Sequence, residues 1–316
     1  MYGCIKEYHR ALAQKLGVGS LDECFYFPQY FTIETCNNCN AHCIMCPKGK
    51  KGLGDMQIMG DTLFEKIVSE IQSYREWVEM ICLNSDGEPL LDKKIAARIK
   101  KLKDIGIKRV NISTNAQLLA EGRIQELLES GLDDIRVSID GYSKETFEKV
   151  RRGLNFDVVK KNVLKLIQMR DDTKSNMDIR IRMVELEENE GERQEWMDYW
   201  RGHLRESDRV QIMPMHTWSG KVAEEEEVQV KYYADKPCIS VFSSFTINWD
   251  GTVQLCDSDI EQQMVMGDIN KKSIREVWQG EKFQSARALH ANAKRNCIEI
   301  CQGCDHWSRE FKENIT

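Results

Sequence analysis

Cys39, Cys43 and Cys46 set three thiols at C-x3-C-x2-C spacing, directly after an apolar, strand-like stretch that ends in Glu34-Thr35. Three thiolates in so short a loop can hold a cubane of four irons and leave one iron open, whereas a cluster held by protein alone is usually closed by four cysteines. That open corner is where a small molecule would bind and chemistry would start. Zinc is the competing occupant, since C-x2-C pairs beside a histidine, here His42, can form tetrahedral sites. The chain has twelve cysteines, which a reducing compartment would not use as structural disulfides, so metal ligation is their natural account. Most fall in two groups, Cys36 to Cys46 and Cys297 to Cys304, with Cys238 and Cys256 between them. Cys4, Cys24 and Cys82 stand apart and read as small buried hydrophobes.

The elements that must position these thiols are legible in the hydrophobic pattern. From Tyr30 to about Pro214, apolar strand-like runs alternate with segments of helical period, the pattern of a parallel sheet built from βαβ units. The pattern predicts strands at Phe31 to Thr35, Val78 to Asn84, Arg109 to Thr114, Asp134 to Asp140, Asp178 to Glu185 and Arg209 to Pro214. Helices are predicted at Leu63 to Tyr74, Lys93 to Lys103, Gly122 to Ser130, Val158 to Met169 and Glu192 to Trp200. Six such units give an α/β fold, a partial (β/α)6 TIM-like barrel, whose ligands should gather at the carboxyl ends of the strands.

Residues 1–29 read as an N-terminal extension with an amphipathic helix carrying Ile5, Leu12 and Leu16, and 30–220 as the barrel. The acidic run Glu224 to Glu227 marks 221–237 as a connector. A small α+β domain, 238–316, opens with a hairpin, Phe242 to Asn248 and Thr252 to Leu255, joined through Asp250-Gly251. One helix from about Ser273 to His290 then leads to the last cysteines.

At 316 residues and 41% hydrophobic content the chain can bury a full core, and its formal charge of −6 with interspersed signs gives no footprint for nucleic-acid phosphates. No stretch approaches the roughly 18 apolar residues of a membrane span, and nothing in Met1 to Val18 resembles a signal peptide. A cytoplasmic protein acting on a small molecule or a peptide, without nucleic acid or membrane as partner, is the expectation.

These motifs together resemble the radical S-adenosylmethionine (SAM) superfamily over nearly the whole chain. By that resemblance Cys39, Cys43 and Cys46 bind a [4Fe–4S] cluster. Asp86-Gly87-Glu88-Pro89 is similar to the family's Gly-Gly-Glu segment, which receives the methionine amine of SAM, with Asp86 in place of the first glycine. Ser113-Thr114-Asn115 and Ser138-Ile139-Asp140-Gly141 resemble the positions that meet the ribose and carboxylate, and Arg151 the residue that pairs with the carboxylate through its planar fork. Pro237-Cys238, Asp250 to Cys256, Met264 to Ile269 and Cys301-Gln302-Gly303-Cys304 resemble the shortened auxiliary-cluster module Twitch, a relative of SPASM, and the corresponding part of aminocyclitol dehydrogenases. The resemblance implies that Cys238, Cys256, Cys301 and Cys304 close a second [4Fe–4S] cluster, against which a zinc ribbon is the rival reading.

The activity so implied is reductive cleavage of SAM to a 5′-deoxyadenosyl radical, fed by an external one-electron donor of flavodoxin or ferredoxin type, and hydrogen abstraction from a substrate C–H. A dehydrogenase acting on a sugar, cyclitol or polyol is the first expectation, with the second cluster as electron acceptor. An epimerase or peptide-modifying maturase is the alternative, in which Cys297 would donate hydrogen; a non-catalytic electron carrier or zinc protein is the third. Arg182, in the fifth strand, is a candidate for contact with substrate or SAM, and an ordinary salt-bridged arginine is its bland counterpart. The basic run Lys48 to Lys51 could meet a substrate phosphate or carboxylate, or be a solvated loop.

Overall fold

Ile179, Ile181 and Met183 alternate with Asp178, Arg180 and Arg182, and only the apolar set is fully buried, which fixes this stretch as a strand with one face under helices. The computed structural model describes residues 5–48, 55–215, 236–302 and 304. Over these the chain forms two compact units, one of Ile33–Met59 and Met80–Met215, the other drawn from Met1–Thr32, Gly60–Glu79 and His216–Thr316.

In the first unit, β2 (Met80–Cys82), β3 (Val110–Thr114), β4 (Asp134–Ser138), β5 (Asp178–Glu185) and β6 (Arg209–Pro214) lie side by side in chain order, all parallel. Helices α3 (Ile95–Asp104), α4 (Glu121–Glu129), α6 (Phe156–Asp172) and α7 (Arg193–Arg201) separate successive strands, so the predicted barrel repeat is present. Ile112, Ile135, Val137, Ile179 and Ile181 on the strands, and Ile99, Leu102, Ile124, Leu127 and Val163 on the helices, are fully buried. At roughly 1.5–3 kcal/mol for each such side chain, this layer supplies most of the unit's drive to fold. The opposite face of the same strands is polar, and the candidate site lies at its carboxyl ends.

Among the helices the pattern missed is α5 (Lys144–Val150), because its start depends on tertiary contact. Ser143 caps it by accepting from the Thr146 amide, and Glu192 accepts from the Tyr142 and Ser143 amides and from the Ser143 and Thr146 hydroxyls. The next helix, α6, is capped locally by Asn155, whose side chain accepts from the Val158 amide.

In the second unit, α1 (Ile5–Lys15) buries Leu12 and Leu16, as its amphipathic pattern predicts. β1 (Tyr30–Ile33), β7 (Ser244–Ile247), β8 (Thr252–Gln254) and β9 (Val265–Asp268) follow one another in sheet order, β7 and β8 pairing antiparallel across Gly251 at φ +90°. Phe31, Phe245, Trp278 and Phe283 form an aromatic core with ring centroids 5.0–6.0 Å apart. The single helix predicted from Ser273 to His290 is two, α8 (Ile274–Trp278) and α9 (Glu281–Ala291), broken at Gly280. A side chain there would press on the Glu276 carbonyl at 3.0 Å, and Arg287 donates to the Trp278 carbonyl that the break leaves free. Helix α2 (Asp61–Gln72) also belongs to this unit, and the predicted connector lies largely outside the described residues.

Candidate active site

The cysteine loop from Thr35 to Lys48 has little regular structure, so backbone bonds to other segments must fix it. The His42 amide donates to the Arg152 carbonyl (2.7 Å), that of Ile44 to Val150 (3.1 Å), and that of Glu88 to Asn38 (2.8 Å). Gly87 lies so close to the loop that a Cβ on it would stand 2.1 Å from the Cys36 carbonyl oxygen. The second glycine of the Gly-Gly-Glu pattern is therefore indispensable here, whereas the first can be Asp86. Its charge is balanced by Lys48, which lies 3.4 Å from Asp86 and 3.3 Å from Glu34. Burial works against the Lys48 ammonium, yet the two carboxylates outweigh it and raise its pKa. Lys48 is thus tied within the protein, and Lys50 and Lys51 lie outside the described residues.

Two donors aim at the triad's sulfurs. Arg151 Nη1 is 3.7 Å from Cys43 Sγ, and Asn115 Nδ2 is 3.7 Å from Cys39 Sγ and 2.8 Å from Asn40 Oδ1. Arg151 is steered by Asp140, fully buried, which accepts from its Nε at 2.5 Å and from the Val184 amide at 2.6 Å. Glu88 is also buried and joins the ends of β2 and β3: it accepts from the Thr114 hydroxyl (2.6 Å), the Asn115 amide (2.8 Å) and the Leu90 amide following Pro89 (3.1 Å). Burial raises its pKa in spite of these donors. Glu88, Thr114 and Asn115 thus hold one another in place, and Ser138 stands level with Arg182 on the neighbouring strand.

Burial pushes the Cys39 thiol up to about 11, and the charges of Glu88, Cys43 and Cys46 add to the shift. Cys43 is also raised by burial, against the pull of Arg151. Cys39 and Cys43, whose ionisation burial and neighbouring charge oppose and at whose sulfurs N–H donors are directed, together with Cys46 fit a cationic cluster that takes thiolate ligands.

The later cysteines converge in the second unit. Cys238, Cys301 and Cys304 are buried, and the Cys256 thiol is raised well above its ordinary value by burial, with charge at Asp257, Cys304, Cys301 and Cys238 adding to the effect. Cys301 is pushed up to about 12 by burial, with Cys238 and Cys304 contributing. Three buried polar side chains that the sequence reading passed over fix the backbone around them. His290 Nδ1 accepts from the Cys238 amide (3.0 Å), Gln254 donates to the Cys256 carbonyl (3.0 Å), and Arg295 donates to the Cys304 carbonyl (2.9 Å). Because His290 Nδ1 is an acceptor, its proton sits on Nε2, 3.7 Å from Cys301 Sγ. This donor set fits an iron–sulfur cluster. Among the described residues no group of His, Cys, Asp and Glu is drawn together around a single metal ion. A cubane makes no such demand, because each thiolate binds a different iron.

Cys36 is buried and directs its thiol to the Asn38 carbonyl, Cys24 is buried with its thiol pushed up to about 11, and Cys82 donates to Asn84. Cys297 is exposed, at the end of a 3-10 turn, and Cys4 lies outside the described residues. Among the described residues no helix is long and apolar enough to cross a membrane.

Comparison with known proteins accords with this geometry. The family model of the radical SAM superfamily matches residues 33–198, and that of the SPASM iron–sulfur cluster-binding domain matches 238–305. A probable GTP 3′,8-cyclase of Methanococcus maripaludis is 33% identical over 139 residues, 44% of this chain and 45% of the relative, so the chain spans under half the length of that relative. An S-adenosyl-L-methionine-dependent 2-deoxy-scyllo-inosamine dehydrogenase of Niallia circulans is 23% identical over 282 residues, 89% of this chain and 94% of that one. The crystal structure of BtrN with AdoMet and 2-DOIA superposes with a TM-score of 0.60 at 20% identity, over 89% of this chain and 94% of BtrN. Streptococcus suis SuiB bound to its precursor peptide SuiA gives 0.65 at 15% identity, over 95% and 74%. At such identities the superpositions speak for the fold alone. The first family match spans more than half of the chain and covers the cysteine loop with the strand ends around it, so the protein belongs to the radical SAM superfamily, binds SAM and a [4Fe–4S] cluster, and carries a C-terminal SPASM iron–sulfur domain.

Proposed function

We propose that this enzyme is a dehydrogenase that removes two electrons and two protons from a hydroxyl-bearing carbon of a sugar, cyclitol or other polyol. The observation that carries the reading is the breadth of the dehydrogenase match, 89% of this chain, whereas the cyclase match stops at 44% and supports only the chemistry common to radical SAM barrels. When bound, the cluster and SAM supply a 5′-deoxyadenosyl radical that takes hydrogen from the substrate carbon. The protein's task is to hold the parts in register and to keep water and stray hydrogen donors out.

In this proposal Cys39, Cys43 and Cys46 hold the cluster, and Asp86 to Pro89, Thr114, Asn115, Ser138, Asp140 and Arg151 form the SAM cradle. Arg182 faces the substrate. Cys238, Cys256, Cys301 and Cys304 would hold the auxiliary cluster, which would supply an acceptor for the second electron. We draw the barrel at 30–220 and the auxiliary domain at 238–316, and place the enzyme in the cytoplasm with a flavodoxin or ferredoxin as reductant.

Anaerobic reconstitution followed by SAM and dithionite tests the reading, with 5′-deoxyadenosine and ketone product measured against a panel of polyols. Stoichiometric ketone supports it; deoxyadenosine without any oxidised polyol sinks it. The epimerase or peptide-maturase reading keeps one favouring observation, the exposed thiol of Cys297. It requires an epimer that carries solvent deuterium from D2O and is lost in Cys297→Ala.

A further inference from the structure

The polar face of β3 to β6 is arranged in tiers by the strand register. Asn111, Asp134 and Asp178 share one tier; Ser113, Arg136, Arg180 and Arg209 the next; Ser138, Arg182 and Gln211 the one nearer the carboxyl ends. Charge on this face does not balance. Asp134, fully buried, accepts from Arg109 Nη2 (2.9 Å) and Arg136 Nε (3.2 Å) and lies 2.5 Å from Arg180 Nε, so one carboxylate serves three guanidiniums. Asp178 adds only a second contact to Arg109, at 3.2 Å.

Arg182 stands one step further along and has no carboxylate within ion-pair distance among the described residues. Its Nε is buried and unbonded. Burial, with Arg136 and Arg180 repelling it, lowers its pKa to about 10 from an ordinary 12.5, and Asp134 offsets this only in part. A guanidinium kept in such surroundings is costly unless an anion completes it. Its planar fork matches a carboxylate or phosphate, and its tier is the one at which ligands of parallel barrels collect.

We propose that the substrate carries an anionic oxygen group, a phosphate or a carboxylate, that Arg182 binds inside the barrel beside Ser138 and Gln211. This deepens the dehydrogenase reading and rests on the barrel being the SAM and substrate site. An uncharged or cationic polyol would leave Arg182 without an anionic partner among the described residues. The carboxylate of SAM has the same chemistry, and the test separates the two sources.

The reconstituted protein is titrated calorimetrically with SAM, and then, with SAM saturating, with inorganic phosphate and with acetate. Wild type, Arg182→Gln and Arg182→Lys are compared. The expected result is saturable binding of at least one anion, weakened by added salt, at least tenfold weaker in Arg182→Gln and partly restored in Arg182→Lys, with SAM affinity unchanged. The preferred anion tells phosphate from carboxylate. Absence of saturable anion binding in wild type overturns the proposal, as does binding that Arg182→Gln leaves intact. A fall in SAM affinity by the same factor assigns the guanidinium to SAM and equally overturns it. Should Arg182→Gln not fold, the rise in wild-type melting temperature with phosphate or acetate decides, and its absence counts against the proposal. Dithionite-driven deoxyadenosine formation in wild type reports separately on the radical SAM reading, so the two failures are distinguishable.

Discussion

Replacing Gly87 with alanine probes how the cysteine loop is held. The added Cβ would lie 2.1 Å from the Cys36 carbonyl oxygen and 2.8 Å from that of Asn38, where carbon and oxygen need about 3.3 Å. Roughly 1 Å of separation must therefore be found at the first contact. Cys36 yields it only at a cost, since it bridges to Ile58, and Asn37 is bonded to Gln57 through its amide (3.2 Å) and its side-chain oxygen (2.8 Å). Movement on the other side draws the Glu88 amide away from the Asn38 carbonyl, a 2.8 Å bond. Overpacking costs about 1–3 kcal/mol and a lost buried hydrogen bond about 1 more, so unfolding free energy should fall by about 2–4 kcal/mol. Urea unfolding of the metal-free protein under anaerobic reducing conditions measures this, with iron uptake on reconstitution as the second readout. Gly122 in α4 is the control: nothing lies within 4 Å of a Cβ there, and alanine should be neutral or stabilise by up to about 1 kcal/mol. Equal stability, within about 0.5 kcal/mol, and equal iron uptake for Gly87→Ala would refute the idea that close approach holds the loop.

Asp140→Asn leaves the Arg151 guanidinium buried without its counter-ion and should cost about 3–5 kcal/mol in the same unfolding assay. Glu192 gives a pH dependence: burial raises its pKa, but the Ser143, Thr146 and Tyr142 donors outweigh this and lower it. Its contribution is therefore fully present above the unfolded carboxyl value of about 4.3 and fades as pH falls through the lower folded value. Glu192→Gln should be about 1 kcal/mol less stable than wild type at pH 7, and the gap should close on acidification below about pH 4. Cys301→Ala should lower iron from about eight to about four per chain, by iron assay and electron paramagnetic resonance. His290→Leu strands the buried Cys238 amide and should cost the metal-free protein about 1–3 kcal/mol, even though no cysteine is replaced.

The barrel was legible because its code is local. Alternation in Asp178 to Glu185 and helical period in Val158 to Met169 each fall within one element; the strand appears at those bounds, and the helix runs slightly further at both ends, Phe156–Asp172. Boundaries drifted where side chains carry the turn: the second strand is only Met80–Cys82, since Asn84 turns its carboxamide to the Ser113 amide at 2.7 Å. Helix α5 stayed hidden because Glu192, far along the chain, helps cap it. In the candidate site, spacing singles out the Cys39, Cys43 and Cys46 triad, but what secures that loop is not visible in it. Lys48 looked like part of a solvated run and is bound to Glu34 and Asp86; His290 looked like the end of a helix and serves the amide of Cys238. Such roles depend on long-range juxtaposition, which no local period encodes.

The charged groups around the cysteine loop share a common arrangement. Arg151 answers Asp140, Lys48 answers Glu34 and Asp86, and Glu88 is met by three donors, so each is oriented before any cofactor arrives and gives up little freedom when one does. Preorganisation of this kind suits a cofactor of fixed shape, for which the cradle need not adapt. Arg182 departs from it, having among the described residues neither carboxylate nor carbonyl to hold its buried Nε. On the proposal made for Arg182, a group left unpaired beside a cradle so fully paired would serve the partner that changes from turnover to turnover, the substrate, and its positive charge would set the sign of the group that substrate brings.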